Sequence, residues 1–368
     1  MKIGVLLPKS TTHPFLGYDF YLALQQSVQY LEQEVEWQSA SIGFGTDEND
    51  ILSKAEDLIL NKQIDVLVAF ADYPKILCLA TLLEMTGINV FVVNNGAKLP
   101  EDWSRYSNFF FLSLQESLLS YMTGKEVVKN GLQKGIIASN YYDAGYAPCQ
   151  MMTDAFMQNK GDIVFNFIPH TIKPVFEMNM IDAFMQNNPS STALLCTYSS
   201  PLTKVFWEQW NLLSHSSQLA IYGSSTFLME SIKDFKEETI KASCKGFLAW
   251  DKSIDEVVNA TYIKKFEEKH KRTATCFGAL GWDLGIVLHH IMVHNDDEFD
   301  GLQLTRGESA YDRENQVIIS PAYFANCTND TISLEKIDQK EMLSNWSDFK
   351  STYSTPNQAG WINTYLCS

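Results

Sequence analysis

Polar and aromatic side chains follow three short apolar runs in the first third of the chain, and such side chains can hold a small molecule. The runs are Ile3 to Leu7, Asp65 to Ala71 and Ile88 to Val93. Hydroxyl and amide groups both donate and accept hydrogen bonds, and aromatic rings supply apolar walls. The candidate binding residues here are Ser10, Phe15, Ala71, Asp72, Tyr73, Asn94, Asn95 and Gly96.

The same arrangement recurs in the second third of the chain. Apolar runs at Gly135 to Ser139, Ala193 to Cys196 and Leu219 to Tyr222 each end in a polar loop. In an open α/β sheet, ligands bind just beyond the carboxyl ends of the strands, so these loops are expected to form a pocket. The polar and aromatic residues at or near these loops are Tyr142, Asp143, Tyr198, Ser199, Ser224, Ser225, Thr226, Trp250 and Phe277.

Several of these residues have a purely structural alternative. The Asn-Gly pair at Asn95 favours a turn with positive φ. Ser10 can cap the helix that follows it. Tyr73 and Tyr142 can pack on a surface, and Trp250 and Phe277 can be hinge or core aromatics. At this stage both roles stay open for each residue.

A histidine cluster near residue 290 is the one pattern that suggests a metal. His290 and His294 are spaced to share one helical face, and Asp296 follows them. A solvated helix end with basic residues near its C-terminus explains the same residues, and we favour that interpretation. No nucleophile elbow, phosphate loop or dinucleotide fingerprint is present. The sequence therefore predicts no enzyme, no cofactor and no metal.

The composition of the chain argues against two classes of binding partner. The formal net charge is −16 and no long run of Lys or Arg occurs, which argues against nucleic acid and anionic membrane surfaces. No stretch is expected to approach the length needed to span a bilayer, so no membrane insertion is predicted. Seven scattered cysteines without a CxxC motif weakly favour a reducing compartment.

The order of elements predicts the fold class. Short apolar runs alternate with helical periodicity through two successive series, which indicates βαβ units and parallel sheets. The last third departs from this rhythm, with two helices at Asp255 to Lys271 and Ala279 to Val293 and strand-like stretches at Val317 to Phe324 and Thr331 to Lys336. This pattern fits an α/β protein of two lobes whose chain crosses between them more than once.

Five motifs, in order, resemble the type I periplasmic binding proteins, in particular the branched-chain amino-acid-binding branch that serves ABC transporters. They are KIGVLLP with its Ser10 loop, ASNYYDAGYAP, CKGFLAW, FGALGWDLGIVL and AYDRENQVIISPAYF. The resemblance covers nearly the whole chain. It implies two Rossmann-like lobes with parallel central sheets, joined by three crossing segments, and a ligand held in the cleft between them.

The resemblance also implies domain limits and ligand groups. It implies that the residues named above at the loops of both series contact the ligand. The N-terminal lobe is expected at 1–116 plus 250–316 and the C-terminal lobe at 117–249 plus 317–368, with hinge crossings near 113–118, 246–251 and 314–322. In the family, a carboxylate near GSSTF binds the ligand's ammonium group, but Ser224 to Thr226 hold no acidic residue here. A neutral polar or amphiphilic ligand is therefore as well supported as an α-amino acid, and the carboxylate of Asp72 would repel an anionic group.

The sequence thus predicts a solute-binding protein that captures a small polar or amino-acid-like molecule, serving ABC-type uptake through a permease. The alternative is a cytoplasmic, amide-sensor-like ligand sensor that acts on a regulatory partner protein. The compartment depends on the start of the gene product: the resemblance implies the periplasm if a leader was removed, and the cytoplasm follows if residue 1 is the true start.

Overall fold

The computed structural model describes residues 1–100, 107–140, 146–169, 175–235, 242–294, 296–328 and 331–353. The helices are α1 (Leu16–Tyr30), α2 (Glu48–Glu56), α3 (Tyr73–Ile76), α4 (Ala80–Thr86), α5 (Glu116–Lys129), α6 (Tyr146–Gln158), α7 (Asn179–Asn187), α8 (Leu202–Trp210), α9 (Ser225–Phe235), α10 (Val257–His270), α11 (Cys276–His294) and α12 (Gln339–Thr352). A π-helical turn, Asp57–Asn61, extends α2, and 3-10 turns lie at Leu77–Leu79 and Ser216–Gln218.

The strands of the described residues form two large sheets and one short hairpin. They are β1 (Lys2–Leu7), β2 (Glu36–Ser41), β3 (Val66–Phe70), β4 (Asn89–Asn94), β5 (Phe109–Ser113), β6 (Lys134–Ala138), β7 (Asp162–Phe167), β8 (Thr192–Cys196), β9 (Leu219–Gly223), β10 (Cys244–Leu248), β11 (Gln303–Leu304), β12 (Gly307–Glu308), β13 (Ala310–Asp312), β14 (Val317–Ile319), β15 (Tyr323–Cys327) and β16 (Ile332–Lys336).

The chain divides into two compact units. The first unit comprises Met1–Leu114 and Trp250–Pro321, and the second comprises Gln115–Ala249 and, within the described residues, 322–353. The sequence placed residues 317–321 in the second lobe. The structure places them in the first unit because β14 pairs in parallel with β5, Val317 opposite Phe111 and Ile318 opposite Leu112.

The first unit contains a seven-stranded sheet in the order β13-β14-β5-β4-β3-β1-β2. Every neighbouring pair is parallel except β13 and β14. The central strands are buried along their length, as their continuous apolar sequences predict: every residue of Val66–Phe70 is buried.

The second unit repeats this architecture with the order β16-β15-β10-β9-β8-β6-β7. The strands from β7 to β10 pair in parallel, and the returning β15 and β16 add antiparallel pairs. The prediction of an α/β protein with parallel central sheets is confirmed.

The stretch Val317 to Phe324, expected to be one strand, is two strands in two different sheets. Val317–Ile319 forms β14 in the first unit, whereas Tyr323–Cys327 forms β15 against β10 in the second. Pro321 separates them, and proline cannot donate the ladder hydrogen bond that a continuous strand needs. The stretch Tyr73 to Thr86 is likewise divided, into α3, a 3-10 turn and α4.

Helix α11 packs against α1 in the first unit at unusually close range. A Cβ on Gly281 would meet the carbonyl oxygen of Phe20, and one on Gly285 would meet the side chain of Ser27. The Ser27 hydroxyl donates to the Trp282 carbonyl at 2.9 Å. The glycines of the GALGWDLG motif are therefore explained by helix–helix packing.

Helix α11 also corrects an expectation about membranes. It is 19 residues long and apolar enough, by length and composition, to cross a bilayer, so the expectation that no stretch approaches that length was wrong. Within the first unit 61% of its apolar window is buried. Its hydrophobicity is that of a helix covered by protein.

Candidate functional site

Each unit has a point where the strand order reverses, and polar residues lie there in both. In the first unit β1 and β3 are neighbours, with β2 on one side and β4 on the other. In the second unit β6 and β8 are neighbours in the same way. Such switch points, at the carboxyl ends of the strands, are where open α/β sheets bind ligands. The carboxyl edge of each sheet is therefore the candidate site.

Ser10 lies in the loop after β1 and is almost fully buried. Its Oγ accepts a hydrogen bond from the backbone N–H of His13 at 3.0 Å and lies 3.2 Å from Oγ1 of Thr12. The N-cap of α1 is Phe15, which makes no side-chain cap hydrogen bond. Ser10 therefore closes the turn of the loop. It does not cap α1, so the structural alternative considered for this residue is wrong.

The loop after β3 holds Ala71, Asp72 and Tyr73, all buried. Asp72 is the N-cap position of α3. The ring of Tyr73 packs edge-on against Phe111, with 5.0 Å between centroids, and more distantly against Phe109. Tyr73 is thus part of the aromatic core of the first unit.

The amides of Asn94 and Asn95 are engaged in local hydrogen bonds. Asn94 Nδ2 donates to the carbonyl of Ala71 at 3.1 Å, and its Oδ1 accepts from the N–H of Gly96 at 2.8 Å. Asn95 Oδ1 accepts from the N–H of Ala97 at 2.9 Å. Gly96 has φ of +80°, the turn conformation that the Asn-Gly pair predicts. These side chains shape the loop between the ends of β3 and β4.

An arginine that the sequence analysis did not single out joins the aromatic residues near the start of α1. The guanidinium of Arg272 lies 4.0 Å from the ring centroid of Phe15, and Asp19 anchors it through Nε at 2.9 Å. Phe15 is half exposed, whereas Phe277 is buried and packs edge-on against His13. Arg272 stands in a short loop between α10 and α11, and no spacing pattern in the sequence connects it to residue 15.

At the second switch point, two hydroxyls connect the ends of β6 and β8. Thr197 Oγ1 donates to Ser139 Oγ at 2.8 Å. Burial raises the pKa of the nearby Cys149 thiol, and hydrogen bonds with Thr197 and Ser139 offset part of that shift. Burial thus favours the protonated, less nucleophilic form of this thiol.

Tyr198 and Ser199, the candidates that follow β8, are both buried. The ring of Tyr198 stacks on Phe176 at 5.1 Å and lies 5.7 Å from Phe206. The backbone carbonyl of Ser199 accepts from Thr203 N at 3.0 Å, at the first turn of α8. Tyr198 therefore belongs to the aromatic core of the second unit.

The segment Ser224 to Thr226 begins α9 and meets a buried carboxylate from a distant part of the chain. Both oxygens of Glu116 accept a hydrogen bond from the backbone N–H of Thr226 at 3.1 Å. Ser225 Oγ accepts from the N–H of Ala249 at 2.8 Å, and Ser224 Oγ accepts from Phe227 N at 3.3 Å. The Glu116 carboxyl thus provides the acceptor for a backbone N–H in the first turn of α9.

The environment of Glu116 shifts its protonation. Burial raises the pKa of its carboxyl to about 7, and hydrogen bonds from Thr226 and Ser224 hold it below a still higher value. The segment GSSTF itself holds no acidic residue, as the sequence analysis states, but the fold brings the carboxyl of Glu116 to its backbone. No local pattern could have revealed it, because 110 positions separate Glu116 from Thr226.

The comparison with solved structures decides the fold. A solute-binding protein of an ABC transporter from R. palustris, in complex with benzoate, is 17% identical, with 92% of this chain and 98% of that one covered and a TM-score of 0.70. A branched-chain amino-acid ABC transporter periplasmic ligand-binding protein from Burkholderia xenovorans is 12% identical, covering 95% and 98%, with a TM-score of 0.74. The chain has the type I periplasmic binding protein fold.

A leucine-binding protein from Thermotoga maritima shows the same periplasmic binding protein fold, at 13% identity, 93% and 99% coverage and a TM-score of 0.68. No family model and no curated protein matches the sequence. At these identities the resemblance establishes the architecture alone. The recognition of the fold from five short motifs is confirmed.

Within this periplasmic binding protein fold, the remaining candidates occupy different places. Tyr142 and Asp143 lie outside the described residues. Trp250 is buried, and its Nε1 donates to Asn259 Oδ1 at 2.8 Å, which fixes it in the first unit. The histidine cluster makes a local contact at a helix end: His290 Nε2 lies 2.8 Å from Asp296 Oδ1. Among the described residues no group of three or more His, Cys, Asp or Glu could hold a metal.

Proposed function

We propose that the chain is a solute-binding protein that captures one small molecule and passes it, unchanged, to an ABC-type permease. The observation that carries this proposal is the duplicated switch point, with buried polar residues after β1 and β3 in one unit and after β6 and β8 in the other. The ligand binds at such a carboxyl edge, and it stabilises the conformation for which its affinity is greater.

The hydrogen-bonding state of the edge residues supports a polar or amphiphilic ligand. Asn94, Asn95 and Ser224 are already bonded within their loops, so they position the backbone and leave fewer groups to grip a zwitterion. The Phe15 and Arg272 pair offers an aromatic face beside a cation. The solved structures of the same fold include complexes with benzoate, 3,4-dihydroxybenzoic acid and isoleucine, which sets the range of ligand size.

A thermal-shift screen tests the proposal. The purified chain is heated with amino acids, aliphatic amides, aromatic carboxylates, nucleosides and short peptides, because a ligand that binds only the folded state raises the melting temperature. A concentration-dependent rise with one chemical class supports solute binding and identifies that class. The proposal fails if no compound of the panel shifts the transition and if ligand-depleted and extract-treated samples melt alike.

Mass spectrometry of the bound compound separates binding from catalysis. The stabilising compound is incubated with protein, and the mixture is analysed after denaturation. Intact recovery of the compound supports a binding protein. Conversion to a product at a rate above that of a Ser10→Ala, Ser139→Ala double variant would instead identify an enzyme on this scaffold.

A regulatory ligand sensor of the same fold is the second candidate, and the cysteines favour it. The seven cysteines are scattered without a CxxC motif, a pattern that is common in a reducing compartment. Fractionation of the native host, with sequencing of the mature N-terminus, distinguishes the two functions. An exported, processed chain supports uptake, whereas an unprocessed cytoplasmic chain that co-purifies with a partner protein supports sensing.

A further inference from the structure

Two buried cysteines face each other across an antiparallel strand pair in the second unit. Cys244 begins β10 and Cys327 ends β15, and the ladder places them directly opposite one another. Opposite residues of an antiparallel pair point to the same face of the sheet, with Cα atoms about 4.5 to 5.5 Å apart. This range lies within the Cα separation of about 4.4 to 6.8 Å that a disulfide requires.

The contact between the two thiols is direct. The side chains of Cys244 and Cys327 interact with each other, and both are completely inaccessible to solvent. Both belong to the apolar core of the second unit, where neighbouring side chains hold them in place. The strand register itself therefore places the two thiols side by side.

The topology excludes the third buried thiol of this core as a partner. Cys196 lies on β8, and β9 separates β8 from β10. Two strands that are not neighbours lie about 9 to 10 Å apart, since adjacent strands are spaced by about 4.7 to 4.9 Å. A disulfide cannot bridge Cα atoms more than about 7 Å apart without backbone movement.

We propose that Cys244 and Cys327 are a redox pair, and that their disulfide fastens the returning segment 322–353 to the rest of the second unit. This segment follows residues 250–321 of the first unit, and β15 joins it to the sheet by pairing with β10. A bond between residues 244 and 327 would close a loop that contains all of residues 250–321. The proposal is independent of the ligand and of the function proposed above.

The reaction with a low-molecular-weight disulfide such as oxidised glutathione balances as an exchange. The thiolate of one cysteine attacks the glutathione disulfide, forming a mixed disulfide and releasing one glutathione thiol. The second cysteine then displaces the remaining glutathione, so that two protein thiols become one disulfide and two glutathione thiols are formed. The two electrons and two protons that the protein loses are carried by those thiols.

The burial of the pair determines when it reacts. Complete burial raises the pKa of the Cys244 thiol well above its usual range, so the folded protein holds few thiolates at neutral pH. Exchange is therefore expected to proceed while the chain folds, when both thiols are accessible, and to be slow afterwards. The redox state then records the compartment in which the chain folded.

Refolding in a glutathione buffer tests the proposal. The denatured, reduced chain is refolded with reduced and oxidised glutathione or with reductant alone, denatured again, alkylated and analysed by peptide mass spectrometry. The expected result is one cross-linked peptide pair containing Cys244 and Cys327, with Cys196 and Cys149 alkylated. The oxidised protein should melt several degrees higher than the reduced protein, because the cross-link restricts the unfolded chain.

Two variants separate this pair from unspecific oxidation. Cys196→Ala, in the same core, should retain the cross-link and the increase in melting temperature, whereas Cys327→Ala should lose both. The mapping of the wild-type chain is decisive even if Cys327→Ala fails to fold. Alkylation of both Cys244 and Cys327 after oxidative refolding, or linkage of Cys244 to any other cysteine, overturns the proposal.

Discussion

At the scale of single residues, the most consequential groups of the molecule are buried carboxylates. Glu116 begins α5 and contacts the first turn of α9, Asp283 lies inside the first unit, and both are buried. Asp283 accepts from Thr305 N at 2.6 Å and lies 3.7 Å from Arg306 Nε. Burial raises the pKa of Asp283 to about 6, while Arg306 acts in the opposite direction. Each carboxylate organises a segment that is remote in sequence.

The Glu116→Gln variant should change how stability depends on pH. The folded-state pKa of Glu116 is about 7, above the usual 4.5. Its protonated carboxyl therefore stabilises the folded state below the pKa of the unfolded chain, and this stabilisation is lost as the pH rises through 7. Between pH 5 and 8 the free energy of unfolding of the wild type should therefore fall by about 2 to 3 kcal/mol relative to that of Glu116→Gln. Urea unfolding at both pH values, with the exposed Glu208→Gln as control, measures this difference. Parallel pH profiles for wild type and variant would contradict the assignment.

The Asp283→Asn variant should destabilise the first unit. It leaves the buried Arg306 guanidinium without its counter-charge, and removing one partner of a buried pair costs about 3 to 5 kcal/mol. Arg306 also donates to the carbonyl of Ser113 at 3.0 Å, so the end of β5 loses a fixed contact. Chemical denaturation is the measurement, with Asp255→Asn on the exposed surface as the matched control. A loss no larger than that of the control would show that the pair is dispensable.

At the scale of secondary-structure elements, close packing of α1 and α11 determines what the sequence tolerates. An exposed Gly→Ala change in a helix usually gains up to about 1 kcal/mol of stability. At Gly281 the added methyl group meets the Phe20 backbone, which cannot move as a flexible side chain would. The two helices therefore depend on the absence of a side chain at this position.

The Gly281→Ala variant should accordingly be destabilised by about 1 to 3 kcal/mol, the usual cost of overpacking a core. Thermal unfolding compared with that of Val293→Ala, on the exposed face of the same helix, measures the effect. An increase in melting temperature for Gly281→Ala would show that α1 and α11 accommodate the added methyl group without loss of stability.

At the scale of the whole molecule, the second unit is completed by the segment 322–353, which follows residues 250–321 of the first unit along the chain. Strand β15 pairs with β10 through five opposed residue pairs, from Cys244 and Cys327 to Leu248 and Tyr323. Without the segment, β10 would become an unprotected edge strand with an apolar face.

A chain that ends at Pro321 should therefore lose the second unit selectively. Hydrogen exchange should show weakened protection of the amides of β8, β9 and β10, because their neighbour and its apolar cover are missing. The amides of β1, β3 and β4 serve as the internal control and should stay protected, since all strands of their sheet are retained. Equal protection of both units in the shortened chain would show that the returning segment adds no stability.

The amino-acid sequence by itself determined the local elements and the fold class. The apolar runs Ile3 to Leu7 and Asp65 to Ala71 predicted buried parallel strands, and both lie in the first sheet. These predictions succeed because a strand covered on both faces must be apolar throughout, which is a property of consecutive residues. The loops after the strands could also be predicted. The sequence could not determine whether their side chains face a ligand, as it suggested for Ser10.

Only the tertiary structure decided which distant residues meet. The carboxylate of Glu116 at Thr226, the cation of Arg272 on Phe15 and the division of Val317 to Phe324 between two sheets all depend on contacts between separate segments. The same contacts assign Tyr73 and Tyr198 to aromatic cores. Local patterns carry no record of such pairings, because burial and charge compensation are properties of the folded arrangement and of no single stretch of sequence.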